Sequence, residues 1–352
     1  MIAVKNLLKA LYLTVPVSFL FAWLNVPLPW TLGPIAAVSL YTLYTGKRIY
    51  WPIKLRNTAL ILLGYAMGRP LTPEAGLRIM EQLPLMLLAT FFTVVADIAV
   101  GYLTYKKTGI SLTSCLLGCV PGGLSQMVIL AEELKDADQT AVTIMQTVRM
   151  LSVVFSVPFL ALHVLHDGDP ALASAAAHVE VAASWIVPAC AAAAISGAFA
   201  ARWLRMPTPF LLGPLLGTGL FVLLSGVRAP LAPPFWIAVA QICVGTYIGA
   251  SINLRKVKQY HGLLPCLFAG VAIVLLVSAI TAYLVVHSTG ASFVTAFLST
   301  APGGIAEMGI TALVVGADIA TMTAYQLVRL LFIMLCFPPL VKWLLRLSTK
   351  AA

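Results

Sequence analysis

The sequence predicts an all-α polytopic membrane protein: about ten transmembrane helices in two inverted five-helix repeats, each with a Pro-Gly-Gly re-entrant hairpin. Three observations carry that expectation. The 352-residue chain is 61% hydrophobic and 10% charged, with mean hydropathy +0.97, whereas a soluble domain carries about 25% charged residues. The two halves of the chain are colinear repeats. The basic residues sort to one side of a bilayer only if the Pro-Gly-Gly segments are hairpins.

The apolar stretches are continuous rather than alternating, which points to helices and not to a membrane β-barrel. In the first half they cover about residues 7–24, 31–46, 55–69, 83–105 and 140–161, and in the second about 181–201, 210–226, 235–252, 263–287 and 319–341. The first, with Lys5 and Lys9 ahead of it, resembles a signal peptide. It lacks a small-x-small cleavage site and its equivalent recurs inside the chain, so a retained helix is expected.

The second segment lies in "VPLPWTLGPIAAVSLY" (26–41), which returns as "MPTPFLLGPLLGTGLF" (206–221). The third holds "LLGYAMG" (62–68), echoed by "CVGTYIG" (243–249). Its pairs Gly64/Gly68 and Gly245/Gly249 allow close helix approach, either inside the molecule or in a homodimer. The fourth carries Pro84 and Asp97, with Pro265 and Ser278 in the matching places. The fifth begins "DQTAVTIMQTVRML" (138–151) and returns as "DIATMTAYQLVRLL" (318–331), with Asp138 and Asp318 as N-caps. The repeats are assigned to 1–170 and 171–352. Such self-similarity is the signature of a duplicated unit.

Between the fourth and fifth segments lie about residues 110–134 and 291–315, with "PGGLSQM" (121–127) and "PGGIAEM" (302–308) at their centres. Each is either one broken span or a hairpin whose arms reach half-way. With the N-terminus cytoplasmic, the hairpin reading puts seventeen of the 22 Lys and Arg residues inside and three outside (Arg69, Arg78 and Arg228). The broken-span reading moves Arg202, Arg205 and the 255–258 cluster outside, so the positive-inside rule favours hairpins. Five spans per half then invert the second copy. Inverted repeats with interrupted segments in matching places are a hallmark of secondary transporters.

In hydrocarbon, non-helical backbone survives only where protein buries it or it lines a wet cavity. Helix ends at a Pro-Gly-Gly tip expose N–H groups and positive dipole ends that an anion completes. Arg149 and Arg329 each follow a glutamine by three residues, Gln146 and Gln326, which puts both on one helix face. The expected substrate-binding set is therefore Pro121, Gly122, Gly123, Gln126, Gln146 and Arg149, with Pro302, Gly303, Gly304, Glu307, Gln326 and Arg329. Asp97 and Glu307 are the candidates for ion coupling. The competing reading pairs either arginine with Asp97, Glu307 or a hairpin carbonyl.

The six cysteines show no metal-type spacing and read as small buried hydrophobes. Trp30, Tyr50, Trp51, Trp203, Trp236 and Trp343 read as interfacial anchors, and His163 and His166 as a solvated helix end. No metal, no cofactor and no enzymatic reaction are expected. The net charge of +10 is scattered between apolar segments, so it reads as topology rather than direct nucleic-acid binding.

The paired motifs "PGGLSQM…MQTVRML" and "PGGIAEM…YQLVRLL" resemble the AbrB membrane-protein family over essentially the whole chain. That resemblance implies labels given to its members, regulators in some cases and ammonia monooxygenases in others. No DNA-binding domain or copper- or iron-holding cluster supports either directly. The inferred architecture also looks like inverted-repeat antiporters and elevator-type symporters, a likeness of fold that names no substrate. The function expected is an ion-coupled secondary transporter of a small anionic solute, a carboxylate, driven by H⁺ or Na⁺. It would be a multi-pass protein of the bacterial inner membrane with both termini cytoplasmic. The alternative is a non-transporting membrane regulator or sensor that affects gene expression indirectly.

Overall fold

A computed structural model describes residues 2–47, 49–71, 73–134, 136–165, 185–206, 208–227, 229–252 and 260–350. Among them every regular element is helical. The first half forms α1 (Ile2–Trp23), α2 (Pro29–Thr45), α3 (Ile53–Gly68), α4 (Pro73–Thr108), α5 (Leu112–Cys119), α6 (Leu124–Glu133) and α7 (Gln139–His163). The second forms α8 (Ile186–Trp203), α9 (Pro209–Ser225), α10 (Pro234–Ser251), α11 (Leu264–Thr289), α12 (Phe293–Thr300), α13 (Ile305–Val315) and α14 (Ile319–Lys350). Each helix of the first set has its counterpart seven places later.

Six described helices are long and apolar enough to cross a membrane: α4, α7, α8, α10, α11 and α14. The chain is a membrane-embedded polytopic protein. The expected spans in α2, α3 and α9 have only 16–17 residues, at the short end of the ~20 a bilayer asks for. Arg48, Lys135, Arg228, Arg255, Lys256 and Lys258 of the charge tally lie outside the described residues, as do Pro207, His166 and the 170/171 repeat junction.

The same local solutions recur at matched sites. Asn25 and Leu28 have φ of 53° and 47°, and Arg205 and Thr208 have φ of 53° and 43°. These left-handed residues turn the chain into α2 and α9, where Pro29 and Pro209 supply a φ already set for a first helical turn. Gly46 and Gly226 close both helices with φ of 70° and 64°, a conformation in which a Cβ is penalised.

The described residues fall into two compact units, and each draws on both sequence repeats. The first unit, from within 1–80, 162–255 and 309–320, holds α1–α3 and α8–α10. Gly64 and Gly68 of α3 lie against the carbonyls of Leu211 and Leu215 on α9. Gly245 and Gly249 of α10 lie against those of Thr31 and Ile35 on α2. A Cβ at any of the four would meet backbone. The glycine pairs therefore serve packing inside the molecule, and the packing is reciprocal: each repeat's third helix seats on the other repeat's second. Trp51 corrects one expectation. It is only 5% exposed and packs with Ala10, Val38 and Ile49, so it is a core side chain, whereas Trp203 is 84% exposed and keeps an anchor's position.

The second unit, from within 81–161, 256–308 and 321–352, holds α5–α7, α11 and α12 with most of α4 and α14. Leu117, Val120, Met127 and Val142 pack with Ile333 and Phe337 of α14. Cys115, Met145 and Val148 pack with Leu263 and Leu267 at the start of α11. The buried cysteines of α5 thus fill space as small apolar side chains.

Candidate functional site

The break after α5 is a hairpin. Ser111 caps α5 by accepting the Ser114 N–H, and the two hydroxyls bond at 2.8 Å. Ser114 Oγ also accepts the Asp138 N–H at 2.7 Å. Asp138 stands just before α7, so the chain leaves α6 at the end where α5 began. The arms have eight and ten residues, about 12 and 15 Å at 1.5 Å per residue, near half of the ~30 Å hydrocarbon layer. Asp138 Oδ1 then accepts the N–H groups of Thr140 and Ala141, and Asp318 Oδ1 that of Ala320, the N-cap roles expected of both. Ser292 and Thr295 repeat the serine cap on α12. These caps escaped the sequence reading, although Ser111-x-x-Ser114 and Ser292-x-x-Thr295 recur at the repeat interval.

A short helix that stops among buried side chains leaves its last carbonyls without intrahelical partners. The Gln–Arg pairs meet them. Gln146 Nε2 donates to Leu117 O at 2.7 Å and Val120 O at 2.8 Å. Arg149 Nη1 donates to Cys119 O at 2.9 Å, and its Nη2 to Gln146 Oε1 at 2.8 Å. On the second hairpin Gln326 Nε2 donates to Leu298 O at 2.8 Å and Ala301 O at 3.2 Å. Arg329 donates to Thr300 O at 3.2 Å, to Gly303 O at 2.9 Å, and also to Ala301 O and Gln326 Oε1. A guanidinium suits this place twice over: its fork serves several acceptors, and its charge complements the negative dipole end of α5 or α12. The geometry shows the pairing with hairpin carbonyls that the sequence left open beside the anion-binding one.

At the tips, Gly122 and Gly303 leave room for the Met127 and Met308 methyls, which occupy the place a Cβ would take. Gly123 caps α6 with φ 87°, a value that favours glycine. Gln126 and Glu307 hold the third position of α6 and α13. The Glu307 carboxylate folds back over Gly304, where an acid suits a helix N-terminus. Gln126 Oε1, buried at the equivalent place, has no hydrogen-bond partner. Pro302 and Asp97 line a cavity of the second unit together with Gly118, Cys119, Arg149 and Gly270. Pro121 is half-buried beside Gly122 at the first tip. The structure thus gathers Gln146 and Arg149 on the first hairpin, Gln326 and Arg329 on the second, and Asp97 beside the first pair.

A model of the family described as "Transition state regulatory protein AbrB" matches residues 30–345, which take in both hairpins and both Gln–Arg pairs. The chain belongs to the AbrB family. It is 27% identical over 358 residues to the "Uncharacterized protein YhjN" of Bacillus subtilis (strain 168), covering 95% of this chain and 93% of that one. It is 25% identical over 339 residues to the "Putative regulator AbrB" of Escherichia coli (strain K12), covering 96% of each. Both alignments run nearly end to end.

Proposed function

We propose that this AbrB-family protein is an ion-coupled secondary transporter of a small anionic solute, a carboxylate, in the inner membrane of a bacterium. One observation carries the reading: two half-length hairpins at matched places, their carbonyl ends capped by Gln146–Arg149 and Gln326–Arg329. Broken backbone at membrane depth is kept where it borders a site, and matched interrupted segments in inverted repeats are the layout of transporters that bind solute near the midplane. The reciprocal packing of α3 on α9 and α10 on α2 is what a pseudo-two-fold relation between the repeats produces.

In this reading the arginines hold the tips in place, and the solute's negative group meets tip amides. The α13 N-terminus already faces the carboxylate of Glu307. The α6 N-terminus faces neutral Gln126, so the first tip is the better anion acceptor. The test is flux of labelled small carboxylates into proteoliposomes under an imposed H⁺ or Na⁺ gradient. Uptake that exceeds empty liposomes and collapses with the gradient supports transport. Absence of uptake across the panel, with folded protein in the membrane, refutes it.

The name of the Escherichia coli relative favours a second reading, a membrane regulator. Altered gene expression in a deletion strain does not separate the two, because a lost transporter also changes metabolite levels. Flux in a purified system does.

A further inference from the structure

Asp97 on α4 and Ser278 on α11 occupy equivalent places and face equivalent hairpin ends, Cys119 and Thr300. In the second copy that contact is closed. Ser278 Oγ donates to Thr300 O at 3.2 Å, and Thr300 Oγ1 donates to Ser278 O at 2.9 Å. In the first copy the latch is replaced. Asp97 is 1% exposed, and neither carboxylate oxygen has a hydrogen-bond partner. Arg149 lines the same cavity as Asp97, and its Nε has no partner either.

The cavity between them measures ≈ 20 Å³, room for about one water, which needs two to four polar partners. Two carboxylate oxygens and one guanidinium N–H supply three. A hard metal cation asks for about six oxygens. Here Asp97 brings two, and the hairpin carbonyls of Cys119, Thr300 and Ala301 are taken by guanidinium groups. The charges of Arg149 on α7 and Arg329 on α14 both act on Asp97 and repel a cation. Cys119, at the end of α5, is the other titratable group facing it. The α11 wall of the cavity, Leu267, Gly270, Val271 and Val274, brings none.

We propose that Asp97 is an exchangeable-proton site, joined to Arg149 through one water, and that H⁺ rather than Na⁺ is the coupling ion. The inference rests on the transporter reading for its consequence. With Asp97 ionised, the Arg149 charge is balanced. When Asp97 takes a proton, the carboxylate no longer repels an anion and the unbalanced Arg149 charge favours one at the neighbouring tip amides, so one proton and one negative solute group enter together. The second repeat, with Ser278, has no such switch, which makes the cycle carry one proton per protein at this site.

The test is infrared difference spectroscopy of the purified full-length protein in nanodiscs during acidification, on wild type, Asp97→Asn and Asp97→Ser, in K⁺ and in Na⁺. The serine variant carries what the second repeat already tolerates, so it decides if the asparagine variant does not fold. The expected result is a protonated-carboxyl band in wild type that is lost in the folded variants and unchanged when Na⁺ replaces K⁺. A band that persists in the variants, or one that Na⁺ suppresses, overturns the proposal. Flux is read separately. Solute uptake driven by Na⁺ alone sinks the proton assignment while transport stands. A titrating Asp97 in a protein that moves no solute sinks transport while the proton site stands.

Discussion

Replacing Arg329 with methionine separates a capping arginine from a ligand-binding one. The substitution keeps the length of the side chain's apolar stem and removes every donor. Gly303 O and Gln326 Oε1 lose the only donor described for them. Thr300 O keeps Ser278 Oγ, and Ala301 O keeps Gln326 Nε2 and the Gly303 N–H. Two acceptors are therefore orphaned rather than four. Left unsatisfied in a dry interior, each costs about 1–3 kcal/mol. Bonds between membrane helices, measured against an unfolded chain still in lipid, average nearer ~0.6 and reach ~1.7 kcal/mol. The expected loss is thus about 1–3 kcal/mol in total, since a buried charge and its desolvation cost leave with the side chain. The assay is reversible unfolding in mixed micelles. Arg329→Lys regains little, because one ammonium point charge cannot span three carbonyls as a fork does. Wild-type stability in Arg329→Met, combined with loss of anion binding, refutes the capping account and makes Arg329 a ligand group.

Four further outcomes are expected. Gly64→Ala and Gly245→Ala each press a methyl onto a backbone carbonyl of α9 or α2, costing about 1–3 kcal/mol by overpacking. Gly76→Ala, with open space around it, is neutral or slightly stabilising, and parallel melts compare the three. Ser111→Ala and Ser292→Ala each remove an N-cap, losing about 0.5–2 kcal/mol, most directly seen as faster amide exchange in α5 and α12. Ser278→Ala and Thr300→Val each remove one hydroxyl that donates to the other residue's backbone carbonyl, so each loses about 1 kcal/mol in the same melts, and no loss in either variant denies the latch.

Much of this architecture was legible because the sequence states it twice. The ten apolar segments, the two breaks and the Asp138 and Asp318 caps all sit at repeated positions, so each assignment had an independent second reading. What stayed hidden was pairing across the repeats. Gly64 and Gly245 advertise a close approach, yet nothing in their spacing says that the partner is a carbonyl on the opposite repeat's second helix. Trp51 failed for a related reason. A tryptophan beside a helix end is an anchor by position, but Ile49 and Ala10 close over it only in three dimensions. The arginines were half legible. Gln146-x-x-Arg149 fixes a shared face, while the face's target, the last carbonyls of α5, depends on the hairpin folding back alongside α7.

The departures from the repeat carry the functional argument. Helix breaks and caps agree between the copies because both hairpins face the same physical problem of ending a helix among buried side chains. Where a solution is forced, duplication preserves it. Cys119 against Thr300, Asp97 against Ser278 and Gln126 against Glu307 are three places around the hairpin ends where the copies part. A purely structural pair of hairpins has no use for trading a serine–threonine latch for an unpaired buried carboxylate, since leaving polar groups unbonded costs stability. Asp97 is retained at that cost on one side only, beside a guanidinium with one N–H unspent. Under the proton-site proposal, that asymmetry makes the first hairpin, not the second, the one to label when looking for motion.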